Sequence, residues 1–116
     1  MKTLHLPLKA KWYEMIESGV KTDEYREIKP YWEKRFLKNF PVFFVRMAVN
    51  LGMLSNNYTH LYGKELCPEY THVKFSYGYT KRTMTFEIES ITIGKGNPEW
   101  GAPTEDVFII KLGKRV

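Results

Sequence analysis

The 116-residue chain has one cysteine and three histidines. It also has no apolar run near the ~18 residues of a membrane-spanning helix. Each shortage excludes something. With Cys67 alone, no intrachain disulfide can form, and a reducing, cytosolic setting fits. A catalytic thiol needs a histidine beside it; Pro68 next to Cys67 suggests a loop, and Cys67 reads as passive. His60 and His72 have no cysteine or carboxylate at zinc-site spacing, so no metal and no other cofactor is expected. Met1–Lys11 holds no apolar core of signal-peptide length, so a soluble, cytoplasmic protein with no membrane partner is expected. No internal repeat or low-complexity segment interrupts the chain.

What is present suits one domain spanning residues 1–116. At this length roughly two-thirds of the unfolded surface can be buried, enough for a self-standing core. Hydrophobic residues at 43% and charged residues at 27% are ordinary globular values. Aromatic residues at 16% exceed what so small a core needs, which points some rings at a ligand or partner. The net charge of +5 favours polyanionic partners, though solubility alone would also account for it. Thirteen of the eighteen cations are Lys, whereas bidentate phosphate or base recognition favours Arg.

The pattern predicts α+β architecture. Thr3–Leu8 alternates as a half-buried strand, with Pro7 near its end or on an edge and His5 on the solvated side. Lys9–Ser18 reads as a helix with Trp12, Met15 and Ile16 on one face, stopped by Gly19. Lys21–Ile28 is a second strand. Pro30 opens a short helix over Tyr31–Lys38, with Trp32, Phe36 and Leu37 inward. Val42–Val49 reads as a strand in which Arg46 either faces outward or lines a cleft. Leu51–Thr71 is rich in breakers and is either a specificity loop or holds an unrecognised element. His72–Tyr79 and Arg82–Gly94 form a hairpin, and a phase slip predicts a bulge near Glu89-Ser90. Gly94–Pro103 is a loop, Asp106–Leu112 a last strand, and Gly113–Val116 a basic tail. About six strands, two short helices near the start and no βαβ alternation imply a mixed sheet rolled into a small β-barrel.

The stretch Ser18–Glu27 carries the chemistry. Glu24 and Arg26 are two apart, so an extended strand projects them from one face. Lys21 is out of step with them and belongs before the strand proper, in the turn after Gly19, or next to a bulge. In that turn the helix's carbonyl end favours an ammonium, so without burial Lys21 reads as a cation rather than a ready base. A plain surface ion pair between Glu24 and Arg26, worth ~0–1 kcal/mol, is one reading. The other is a site in which Lys21 and Arg26 hold an anion or base edge while Glu24 accepts from an amino group such as that of cytosine. Tyr25, Trp100 and the tyrosines of the middle stretch are candidate stacking surfaces. Trp100, flanked by Glu, Gly and Pro in a loop, suits a pocket rim.

Gly19, Lys21, Glu24 and Arg26 also fit G-x-K-x-x-E-x-R, which resembles the signature of the ASCH domain, a small relative of the PUA RNA-binding fold. Leu4-His5-Leu6 and Trp12–Ile16 resemble that family's first strand and helix. Ile91–Gly94, Asn97–Pro103 and Phe108–Gly113 resemble its closing segment. The stretch Asn39–Thr71 is not covered. The resemblance implies a PUA-like barrel binding RNA or a modified nucleoside at the motif, with Lys21, Glu24 and Arg26 as ligand-binding candidates; the reading of the residues themselves adds Tyr25, Arg46 and Trp100. The resemblance also implies an alternative, hydrolysis: amidohydrolases acting on acylated cytidine, or ribonucleases, with Lys21 and Glu24 catalytic. The amidohydrolase type uses a Lys, a Thr nucleophile and a Glu. Here Glu24 stands in the place of that Thr, and Thr22 lies too close to Lys21 to replace it easily. A second catalytic glutamate would come from Glu87, Glu89 or Glu99.

Overall fold

The computed structural model of the protein describes residues 2–37, 62–63, 65–66 and 69–116. Arg46, His60, Cys67 and the expected strand Val42–Val49 lie outside the described residues. Five strands and two α-helices are described: β1 (Thr3–Leu8), α1 (Ala10–Glu17), β2 (Asp23–Glu27), α2 (Pro30–Phe36), β3 (His72–Tyr77), β4 (Thr83–Gly94) and β5 (Val107–Arg115). They form one mixed sheet in the order β1-β3-β4-β5-β2. The β1–β3 pair is parallel and the others are antiparallel. The sheet curls into half a barrel and leaves β1 and β2 as its two edges. Pro7, which has no N–H to donate, is tolerated on the β1 edge. Among the described residues, no helix is long and apolar enough to cross a membrane.

The alternation of β1 buries Leu4, Leu6 and Leu8 and exposes His5. Tyr13 and Ile16 of α1, Phe36 of α2, Phe75 of β3, and Phe108 and Ile110 of β5 pack with these leucines in the main core. A smaller cluster of Tyr25, Ala102 and Val107 lies on the other face of β2. The bulge falls where the phase slip predicts it, as register shifts between Phe86 and Ser90.

Three expectations are corrected. The buried face of α1 is Tyr13 and Ile16, and Trp12 is only half-buried. Tyr13 makes an edge-on contact with Tyr77, 5.2 Å between centroids, and that contact turns the helix so that Trp12 lies to one side. The end of the chain is strand rather than tail: β5 runs to Arg115 because the twelve-residue β4 offers it partners as far as Phe86. Within the loop, Pro98–Trp100 forms one 3-10 turn, with the Asn97 side chain accepting from the Glu99 amide. Of the two readings of Leu51–Thr71, the described part agrees with an unrecognised element: Gly63 and Leu66 donate backbone hydrogen bonds to Ile93 and Ile91 at 2.8 Å each, so this part adds to β4.

Helix α2 is only seven residues long and owes its place to packing rather than propensity. Fully buried Phe36 stacks on Trp32 at 5.6 Å and meets Phe108 edge-on at 5.0 Å. Phe36→Ala should cost about 3–5 kcal/mol in urea unfolding; a loss below about 1 kcal/mol would show that α2 does not depend on this docking.

Candidate functional site

The site forms where the two edge strands approach each other. Helix α1 ends at Ser18, and Gly19, at φ 84°, takes the left-handed turn that side chains disfavour. The Lys21 amide then donates back to the Met15 carbonyl at 3.0 Å. This lock aims Lys21 into the gap just before β2 begins. Glu24 and Arg26 lie opposite the core residues Ile110 and Phe108 in the β2–β5 register, so they share the inner face of the half-barrel.

Lys21 is 2% exposed and Glu24 4% exposed. The Lys21 ammonium donates to Glu24 Oε1 at 2.8 Å and to the Trp100 carbonyl at 2.7 Å. It also sits 4.7 Å from the Trp12 ring centroid and 5.4 Å from that of Tyr25. Glu24 Oε1 takes a second hydrogen bond, from the Tyr25 amide at 3.0 Å, and Oε2 pairs with Arg26 Nη1 at 3.0 Å. Arg26 Nη1 donates in addition to the Tyr25 carbonyl at 2.6 Å. The guanidinium lies over Trp32, 5.4 Å from its ring centroid. Two cations thus share one carboxylate, and the trio keeps a positive charge.

Two cavities flank this trio. The first, about 230 Å³, is bounded by Pro7, Leu8, Lys9, Trp12 and Trp100 together with Lys21, Glu24 and Arg26. The second, about 480 Å³, is bounded by Arg26, Glu27, Lys29, Trp32, Pro103 and Val107. Tyr25, Arg26 and Gly101 form a wall common to both. Gly101, at φ 93°, allows the loop to pass close to Trp12; a Cβ there would fall 2.8 Å from Trp12 Cζ2.

The structure therefore brings Lys21, Glu24, Tyr25, Arg26 and Trp100 together. Their surroundings differ from expectation in two respects. Lys21 is buried, so the premise that made it a solvated cation does not hold. Both Glu24 oxygens already have partners, which makes Glu24 a support for the two cations rather than an open acceptor. Tyr25 is buried, and its hydroxyl accepts from the Asn97 amide at 3.0 Å, fixing the loop that carries Trp100. Glu87, Glu89, Glu99 and Thr22 line neither cavity. Trp12 and Trp32 are the site residues that helical periodicity assigned to the core. Their intermediate burial shows no sign in the sequence beyond the general excess of aromatics.

Asp23 faces away from the trio on the same strand. Burial pushes its carboxyl above the ordinary 3.8, with nearby Lys111 opposing the rise. Comparison with known proteins returns no match to the chain among protein-family models, curated proteins or solved structures.

Removing one member of a buried ion pair costs ~3–5 kcal/mol, because the other charge is left uncompensated. Glu24→Gln strands two cations and should lose about that much in denaturant unfolding. Lys21→Met should lose less, since Glu24 keeps Arg26 and the Tyr25 amide; equal losses would contradict this account. The raised Asp23 carboxyl means that the folded state binds its proton more tightly than the unfolded state. Its contribution is complete below 3.8 and lost as pH rises through the higher folded value. Asp23→Asn should thus stabilise the protein at neutral pH, and the gain should vanish on acidification below 3.8; a pH-independent difference would exclude this linkage.

Proposed function

We propose that the protein is an ASCH-like, PUA-like module that binds RNA or a nucleotide across the two cavities that meet at Arg26. The observation that carries this reading is the state of Arg26. Its hydrogen bonds to the described residues all run through Nη1. Nε and Nη2 have no partner among those residues, and the side chain borders both cavities. Glu24 and the Tyr25 carbonyl orient the guanidinium, leaving a pre-set donor pair for phosphate or a base edge. Lys9 adds charge, whereas Lys29 pairs with Glu27 at 3.8 Å, and Trp12, Trp32 and Trp100 offer ring surface in the same walls. Aromatic platforms interleaved with cations are the recurring chemistry of single-strand recognition.

The hydrolase alternative has less support. It needs Lys21 and Glu24 to reach the reacting atoms, yet both are almost closed from solvent and engaged with each other. Lys21 and Glu24 serve here as positioning residues that hold Arg26 and the Trp100 loop.

Titration of tryptophan fluorescence with short single-stranded RNA at several salt concentrations tests the proposal. Binding should saturate, weaken with salt by a slope of roughly 0.7 per phosphate contacted, and disappear in Arg26→Ala. No saturable quenching at high micromolar protein, or unchanged binding by Arg26→Ala, would overturn it.

A further inference from the structure

A third cavity, about 360 Å³, is bounded by Lys2, Lys34, Arg35 and Tyr70. None of these residues borders the Arg26 cavities. The two regions are nevertheless joined through α2. Trp32 lies in the wall of the second Arg26 cavity, and its ring centroid is 5.4 Å from the Arg26 guanidinium and 6.0 Å from that of Arg35. Both arginines thus lie near the same indole. Beneath it, Trp32 stacks on the fully buried Phe36, which meets Tyr70 edge-on at 6.3 Å, so core packing links a ring in one cavity wall to a ring in the other.

The way these cations are held matters. Arg35 lies over the Tyr31 ring at 3.6 Å and donates to the Tyr31 carbonyl at 2.9 Å. Lys2 sits over Tyr70 at 5.0 Å and pairs with Glu69 at 2.6 Å. A ring face fixes a cation without cancelling its charge, whereas a carboxylate cancels it. Neither Arg35 nor Lys34 pairs with a carboxylate among the described residues. Among the described residues the third cavity therefore carries net positive charge, with Arg35 near the same indole as Arg26.

Resting on the reading of Arg26 as a nucleotide-binding group, we propose that the ligand is a single strand of several linked nucleotides that crosses α2, with one phosphate at Arg26 and a later one in the cavity of Lys34 and Arg35. A free mononucleotide would use only the first position. A single strand suits the track better than an acidic protein, because cations alternate with Trp32, Tyr31 and Tyr70, and every base has a face that stacks on such rings. A rigid duplex could meet the charges but could not offer its bases to the rings.

The test compares uridine monophosphate with oligouridylates of increasing length, using the full chain and the variants Lys34→Glu and Arg35→Ala. Circular dichroism of each variant shows whether it is folded; Lys34 is exposed, so its replacement leaves the core untouched. Affinity should rise with length. Each variant should lose that rise and reduce the salt slope by roughly 0.7–1, while binding of the mononucleotide stays the same. Equal affinity for the mononucleotide and the longer strands, or an unaltered length dependence in folded Lys34→Glu, would overturn the crossing strand and leave the Arg26 site standing. Equally tight binding of an acidic peptide or of duplex RNA would overturn the single-strand assignment. No binding of any ligand would overturn both readings.

Discussion

An ammonium and a carboxylate buried against each other at the open side of a half-barrel govern the arrangement of everything around them. Taking either ion out of water costs several kcal/mol, which their mutual attraction offsets only with good geometry and further hydrogen bonds. Lys21 and Glu24 meet that condition through the Trp100 carbonyl, the Tyr25 amide and Arg26. The pair and these partners come from the turn after α1, from β2 and from the loop before β5. The pair therefore ties three separate segments to one point.

The tie explains why the loop Gly94–Pro103 is held so closely. Gly96 lies where a Cβ would come 2.5 Å from Ala102 and 2.8 Å from the Tyr25 ring, and Gly101 passes against Trp12. The Tyr25 hydroxyl and the Asn97 side chain brace the turn from within. Charges on the inner face of an edge strand have a second effect, since they discourage another strand from adding to β2. The carboxylate that makes the edge uninviting also fixes the guanidinium facing the cavities.

Helix α2 connects the core to the charged surface. Its inner residue Phe36 docks on β5, while Trp32, one turn earlier, is left at the cavity wall with Arg26 and Arg35 both near its ring. A helix of two turns would not persist alone. Its aromatic stack keeps the cations in register, so packing energy is converted into charge position.

The strands could be read from alternation, because parity is a local property: Leu4, Leu6 and Leu8 against His5, or Glu24 and Arg26 two residues apart. The glycine stop at Gly19 and the bulge in β4 were legible for the same reason, each being a departure from period within a few residues. The face of α1 was not legible, because Trp12, Tyr13, Met15 and Ile16 give more than one apolar stripe, and the contact with Tyr77 selects among them. The burial of Lys21 was equally hidden. Its second acceptor, the Trp100 carbonyl, lies 79 residues further along, and nothing near Lys21 announces it. The chain by itself determined the elements and the face on which two charges stand. Only tertiary structure decided which side chains close over those charges and which rings border the cavities, since many strand orders satisfy one alternation pattern and each brings different distant residues to the same edge.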